Sequence, residues 1–179
     1  PHQAELIGIS LSTKIGKACY IPIGHNNGFC LEKTKVIEKL KPILQDKSIK
    51  KIGQNIKFDF IVLYKQGIQM NSMEDTMLMS YVLDAGKNRH NMDLLSEIHL
   101  NHKTIAFKDL VGSGKKQINF SEVEIKKAMQ YAAEDADITL RLYKIFIENL
   151  KKEKLTNIYE IFEKPLIEIL AFMEIYGIK

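Results

Sequence analysis

The chain has 179 residues, of which 45% are hydrophobic and 27% charged, and its net charge is +4. This length suits one domain with a sizeable core, and the composition excludes a disordered or fibrous protein. The positive charge is compatible with a nucleic-acid partner, and the absence of an apolar run near the roughly 20 residues of a membrane helix favours a cytoplasmic protein.

Short strands open the chain. Residues 5–12 and 17–23 are rich in β-branched side chains and flank a glycine-containing turn, which predicts a β-hairpin. Cys19 lies in the second of these runs and Cys30 follows it. Because no CxxC pattern is present, we expect two buried, reduced thiols rather than a disulfide or a zinc site.

Helices dominate the remainder. Apolar residues recur at helical spacing over 32–45, although Pro42 should kink or interrupt that helix, and a strand is expected over 51–54. Further helices are predicted over residues 56–66, 76–83 and 92–100, followed by an irregular segment over 101–120.

The longest predicted helix begins near Ser121 and runs to about residue 150. Ser121 and Glu124 have the spacing of a capping box, which places the helix start there. A last helix is predicted over 157–176. Strands followed by a helix, a strand and many helices indicate a mixed α/β sheet with helices on its faces.

Asp135 is the unusual acid of the long helix. At about 100° per residue it projects between Ala128 and Leu142 on the apolar side, whereas Glu134 lies on the polar face. An inward carboxylate is costly unless it is hydrogen-bonded, paired or bound to a metal. Tyr131 lies one turn earlier on nearly the same face, so a purely structural Tyr131–Asp135 hydrogen bond is the simple alternative to a functional site.

A second candidate lies just after the strand over 51–54. Asn55 is the expected N-cap of the next helix, and Asp59 falls in its first turn. A carboxylate there also has a plain explanation, because it interacts favourably with the positive end of the helix dipole.

Together these segments resemble the 3′→5′ exonuclease domain of bacterial DNA polymerase I. Residues 53–59 and 131–137 are similar to its second and third exonuclease motifs, and 74–78, 89–94 and 102–107 resemble that family in the same order. The resemblance implies a ribonuclease-H-like α/β fold, with a mixed sheet flanked by helices, and two divalent metals held by four carboxylates from three motifs.

The resemblance also implies roles for single residues. Asp59 and Asp135 would be metal ligands for Mg²⁺ or Mn²⁺, and Tyr131 would orient the attacking water. Positions expected to grip single-stranded DNA are Gln54, Asn55, Lys57, Arg89 and Phe107. Without the resemblance, Lys57 and Arg89 read as solvated charges and Phe107 as a core residue.

Other polar residues of these motifs have simpler interpretations. His90 is expected to be a structural, hydrogen-bonding histidine rather than a ligand. Asp75 precedes a helix and is most simply its cap, and residues 112–116 lack the spacing of a phosphate-binding loop.

The first acidic motif of the family should lie on a central strand upstream of Glu5, and no residue there matches it. We therefore expect the sheet to lack its first strand, which would leave residues 7–11 and 51–54 about 10 Å apart. Either these segments pair directly, or, as we favour, a strand from elsewhere fills the place. The chain by itself should then be an impaired nuclease.

The expected organisation is one exonuclease domain over 1–179, with a core over 1–150 and a C-terminal helix over 151–179 that leads toward a polymerase domain. The expected partners are the 3′ end of single-stranded DNA and that polymerase domain, with no membrane and an open oligomeric state. Two alternatives remain: a catalytically inactive nuclease-like scaffold or DNA-binding module, and an RNA-trimming relative similar to ribonuclease D.

Overall fold

The computed structural model describes residues 4–177, without the side chain of Lys115. Residues 1–3 and 178–179 of the expected domain lie outside this range. Strands β1 (Gly8–Lys14) and β2 (Lys17–Pro22) form the predicted antiparallel hairpin, with Leu11 opposite Cys19. The expectation of two buried thiols is wrong: Cys19 is exposed because this end of the hairpin faces solvent, and Cys30 is only half-buried.

A second pair of strands lies further along the chain. β3 (Lys51–Gly53) and β4 (Met73–Asp75) are parallel and are connected through helix α2 (Ile56–Tyr64). The sequence does not reveal β4, since three residues are too few to show an alternating pattern. All three residues of β4 are buried.

The two strand pairs form separate two-stranded sheets. The version of our expectation in which 7–11 pairs directly with 51–54 is therefore wrong. Helix α6 (Ile125–Lys152) packs against β1, β2 and β3 and so fixes the positions of both sheets. The predicted α/β class, with antiparallel and parallel strands flanked by helices, is confirmed.

The remaining helices follow the predicted order. α1 (Lys33–Gln45) contains Pro42, which removes one backbone donor without ending the helix. α3 (Thr76–Asp84) and α4 (Met92–Leu100) match the predicted segments closely. The segment expected to be irregular contains a short helix, α5 (Phe107–Val111).

The capping box lies two residues earlier than the sequence predicts. Asn119 and Glu122 form it around a short 3₁₀ turn, and the Asn119 N–H donates to Glu122 Oε2 at 2.8 Å. Glu124, the residue before α6, has a non-helical backbone and makes no side-chain cap. The assignment of Ser121 as N-cap is therefore wrong, because the tight turn occupies its place.

The C-terminal part is helical, as predicted, but it is not one regular helix. α7 (Thr156–Ile158) continues into a π-helical turn (Tyr159–Glu163), which α8 (Lys164–Tyr176) extends. π turns are rare and occur frequently at functional positions. This one places the fully buried Tyr159 in the protein core.

Two apolar clusters form most of the core. In the first, α2 packs against α8 around Phe60 and Ile61, which are both fully buried. In the second, α3, α4 and α6 meet around Met79, Leu142 and Phe146. α2, which carries Asp59, is thus held by packing against α8, and α6, which carries Asp135, by packing against α3 and α4. Within residues 4–177, no helix is long and apolar enough to cross a membrane.

Our other expectation, that a strand from another segment or another chain fills the place of the missing first strand, stays a prediction. We predict that amides in Gly8–Lys14 and Lys51–Gly53 exchange hydrogen more slowly in the full-length natural protein than in this chain alone, because strand pairing protects them. Hydrogen-exchange mass spectrometry measures this. β2 serves as the internal control, and equal exchange rates of both segments in the two proteins would contradict the prediction.

Candidate functional site

Asp59 is positioned by the unusual start of α2. Asn55 has a left-handed backbone with φ of 57°, a conformation that Asn tolerates better than most residues. The Asn55 N–H donates to Asp75 Oδ1 and the Ile56 N–H to Asp75 Oδ2, each at 3.0 Å. The Asn55 side chain makes no cap hydrogen bond, so the expected capping role belongs to Asp75 instead.

Asp75 also caps its own helix, as predicted, because its carboxylate accepts from the Met77 N–H at 2.9 Å. One buried carboxylate therefore joins the end of β4 to the starts of α2 and α3. Burial raises the pKa of Asp75, and these backbone donors oppose the rise by stabilising the charged form.

The pKa of Asp59 is raised to about 7, first by desolvation and then by the neighbouring charge of Asp75. The side chain is nevertheless exposed, so water reaches the carboxylate and limits the desolvation. The raised pKa means that Asp59 keeps its proton to a higher pH than an ordinary carboxyl group does.

Asp135 lies on α6, and the atom Oδ1 is buried without a hydrogen-bond partner within the described residues. This agrees with the inward direction that helical spacing predicts. Desolvation raises the pKa of Asp135 to about 7; a hydrogen bond from Tyr131 opposes this rise, and the charges of Glu134 and Asp93 add to it. The structural Tyr131–Asp135 hydrogen bond thus exists, but it leaves one carboxylate oxygen unsatisfied.

An unpartnered buried oxygen is what a metal ligand presents before its ion binds, and buried polar atoms without partners are otherwise rare. Asp135 therefore fits a divalent cation. Residues 4–177 contain no group of three or more His, Cys, Asp or Glu side chains that could hold a metal ion by themselves. The charges that act on Asp59 and on Asp135 also come from different neighbours. Further oxygen ligands would be needed to complete a site.

An aromatic cluster lies beside Tyr131. The ring of Phe107 stacks on Phe120 with centroids 6.0 Å apart and lies 5.9 Å from the ring of Tyr131. Phe107 is 46% exposed and so is not the core residue that composition alone would favour. This cluster offers an apolar, partly open face next to Asp135.

Glu134 organises the segment that leads to this cluster. Its carboxylate accepts from the Ile105 N–H at 2.7 Å and contacts His102 Nε2 at 2.8 Å. On the same helix, Asp137 accepts from the Gly16 N–H at 2.6 Å and pairs with Arg141. Glu134 thus lies on the polar face, as helical spacing predicts, but the spacing does not show which loop covers that face.

The other predicted binding positions have different surroundings. The Gln54 amide is used inside the protein, donating to the His90 carbonyl and accepting from Thr76. Lys57 forms an ion pair with Glu174 of α8, and Arg89 is exposed.

His90 is a structural residue, as predicted. Its Nδ1 lies 2.9 Å from Ser80 Oγ, and Tyr81 packs edge-on against its ring. With both contacts supplied by α3, His90 fixes the segment that precedes α4.

Sequence reasoning missed three residues that shape the site, namely Phe120, Glu134 in its anchoring role and Asp75 in its role at α2. Only Asp75 had a usable signal. In the sequence, Glu74 and Asp75 are consecutive acids directly after the apolar Met73. Two adjacent acids need partners if they are buried, and both are buried in the structure.

Comparisons with known proteins place the chain among nucleases. A family model described as 3′-5′ exonuclease matches residues 1–151. DNA polymerase I of Rhizobium leguminosarum is 43% identical over 98% of this chain and 19% of its own length. The chain therefore spans about one fifth of that relative.

Solved structures share the fold. Brucella melitensis NrnC with bound Mg²⁺ has a TM-score of 0.71 at 22% identity, covering 95% of this chain and 76% of its own. The POL domain of Pol1 from M. smegmatis, in complex with DNA primer-template and dNTP, has a TM-score of 0.67 at 19% identity, covering 89% and 24%.

We predict that Asp135→Asn stabilises the chain at about pH 8 in the presence of EDTA but not at about pH 4. The folded-state pKa of about 7 lies above the unfolded value of roughly 3.9, so folding favours the protonated acid. This stabilisation is complete below the unfolded pKa and is lost as pH rises through about 7, whereas asparagine does not titrate.

The expected difference in the free energy of unfolding at the higher pH is of order 1–2 kcal/mol, measured by urea denaturation. Glu148→Gln is the control, because Glu148 is an exposed acid on the same helix whose described partner is Lys151. A pH-independent effect of Asp135→Asn would contradict the assigned burial.

Proposed function

The chain belongs to the 3′-5′ exonuclease family, and on this premise we propose that it is the proofreading domain of a DNA polymerase I. It would hydrolyse the last phosphodiester at the 3′ end of single-stranded DNA. The observation that carries the proposal is the buried, unpartnered Oδ1 of Asp135, one turn after Tyr131 and beside an exposed aromatic face.

Asp59 and Asp135 would hold Mg²⁺ or Mn²⁺, since these cations take carboxylate oxygens as ligands and Asp135 Oδ1 is buried without a hydrogen-bond partner among the described residues. Such ions lower the pKa of a bound water and stabilise the leaving oxygen. The family arrangement of two ions and four carboxylates implies two further ligands that the described residues do not supply. Ion binding and cleavage should therefore be weak in this chain alone.

Tyr131 would orient the attacking water. Desolvation and the Asp135 charge raise the pKa of its hydroxyl well above the ordinary value, so the hydroxyl stays protonated and acts as a hydrogen-bond donor rather than as a base. Its contact with Asp135 holds that donor beside the carboxylate.

Phe107 would receive the terminal base by stacking, since its ring is exposed and supported by Phe120. Arg89 is free of described ion pairs and could bind a phosphate, and Lys57 could do so after leaving Glu174. The Asn55 side chain makes no helix-cap hydrogen bond and could therefore contact the DNA strand. Gln54 would instead support this surface from within, because its amide is already hydrogen-bonded.

The partner on the other side would be the polymerase domain. α8 and the π turn expose a group of large apolar side chains, including Phe162, Ile169 and Tyr176, at 64%, 52% and 75%. Exposed apolar surface of this kind marks interaction sites. Because relatives extend well beyond the matched fifth, we propose that this surface packs against the polymerase domain of the same chain.

Asp135→Ala should abolish cleavage of a labelled single-stranded DNA oligonucleotide by the full-length protein with Mn²⁺, lowering the rate by on the order of 10²-fold or more. Glu148→Ala is the matched control, because Glu148 is an exposed acid on the same helix that pairs only with Lys151 in the described structure. Equal losses in the two variants would contradict the proposed role of Asp135.

The same assay separates the alternatives. An RNA oligonucleotide degraded faster than DNA would favour an RNA-trimming enzyme, and binding without any cleavage by the wild-type protein would favour a scaffold. The proposal predicts preferential cleavage of DNA from its 3′ end.

Phe107→Ala should weaken binding of a single-stranded oligonucleotide by about 1–3 kcal/mol, because base stacking on an aromatic ring contributes about that much. Fluorescence anisotropy in EDTA measures this without cleavage. The control is Phe29→Ala, since Phe29 is 79% exposed but lies outside the site. If both variants bind like wild type, the stacking role is excluded.

A further inference from the structure

Glu74 and Asp75 are consecutive acids at the end of β4, and each is only 1% exposed. Burying two adjacent carboxylates is costly unless each one finds partners. Their partners come from several elements that are distant in sequence, which makes this pair more than a local cap.

Glu74 is held by the C-terminal region and by a lysine near β3. Its Oε1 contacts Lys164 Nζ at 2.8 Å and Lys50 Nζ at 3.2 Å. Its Oε2 accepts a hydrogen bond from the Tyr159 hydroxyl at 3.0 Å. Both carboxylate oxygens are thus satisfied, and two of the three partners belong to the π turn and the start of α8.

The Tyr159 hydroxyl serves both acids. While it donates to Glu74, it accepts from the Asp75 N–H at 3.0 Å. Tyr159 is fully buried, so this hydroxyl cannot exchange its partners for water without opening the core. It therefore fixes the backbone of Asp75 relative to the π turn.

Asp75 connects the Tyr159 hydroxyl to the start of α2. Its carboxylate binds the N–H groups of Asn55 and Ile56 at the helix start, while Asn55 is in the left-handed conformation. For a residue other than glycine this conformation has a steric cost, which such contacts offset. Asp59 lies one helical turn later, so its position follows from the orientation of Asn55 and Ile56.

The contacts also show what Asp75 does. Its two oxygens together accept three backbone N–H groups, so the carboxylate is engaged in holding the starts of α2 and α3. Its role is to position other residues.

We propose that Tyr159, Glu74 and Asp75 form a positioning relay that transmits the placement of the C-terminal helical region to the start of α2, and so sets the position of Asp59 for catalysis. This inference rests on the proposed nuclease function. Its consequence is that a change at Tyr159, in a segment that supplies no catalytic residue, alters the exonuclease site.

The test is Tyr159→Phe in the full-length natural protein. The ring remains to fill the core, but the Asp75 N–H and Glu74 Oε2 lose their partner. Amide exchange in the peptide that covers Asn55 and Ile56 should become about tenfold faster, because a lost buried hydrogen bond has an effect of this size. The kcat for 3′-end cleavage should fall by about tenfold with KM within roughly twofold, because Phe107 and Arg89, which would bind the strand, lie on other segments.

Tyr64→Phe is the matched control. Tyr64 is the last residue of α2, its ring packs edge-on against Phe172 of α8, and its hydroxyl interacts with Tyr176 rather than with the acids. This variant should leave exchange at Asn55 and kcat within about twofold of wild type. Equal effects of the two variants, or normal exchange at Asn55 and Ile56 in Tyr159→Phe, would overturn the relay.

If Tyr159→Phe does not fold, Lys164→Gln decides the question, because it removes the charge that contacts Glu74 Oε1 while Lys164 itself is partly exposed. Faster exchange at Asn55 and Ile56 in that variant supports the relay, and unchanged exchange overturns it. Failure of the nuclease proposal is seen separately, as absence of cleavage by the wild-type protein, and the exchange result then still decides the relay.

Discussion

The packing of α6 against both two-stranded sheets is the constraint on which the rest of the structure depends. Within residues 4–177 no strand of the hairpin pairs with a strand of the parallel pair. Helix α6 packs against both and so fixes their relative position. The same helix carries Tyr131, Glu134 and Asp135 within about one turn of its N-terminal half. A rigid element thus positions the acid, its hydrogen-bond donor and the anchor of the aromatic segment together.

A second constraint acts at the start of α2. α6 controls Asp135 through packing, whereas Asp75 controls Asp59 through hydrogen bonds to the backbone. The two acids are therefore placed by independent means, and the electrostatic environment of each reflects its own neighbours. This separation fits a site in which a cation, rather than a direct contact, would connect the carboxylates.

Periodicity and turn residues predicted the hairpin, most helices and the inward direction of Asp135, because these depend on local sequence. They did not predict β4, the capping role of Asp75 or the anchoring role of Glu134. Those features arise from contacts between segments that are distant in sequence, such as Glu134 with Ile105. The capping box illustrates the limit: Ser121 and Glu124 have the right spacing, but the structure forms the box between Asn119 and Glu122.

We propose that Asp135 binds a divalent cation through Oδ1, which is buried without a hydrogen-bond partner among the described residues. Anomalous diffraction from crystals of the full-length protein grown with Mn²⁺ tests this most directly. The account predicts a Mn²⁺ peak at roughly 2.2 Å from Asp135 Oδ1, with Asp59 bound to the same ion or its neighbour. Ordered protein without a peak there, and with Oδ1 instead hydrogen-bonded to a protein group, would contradict it.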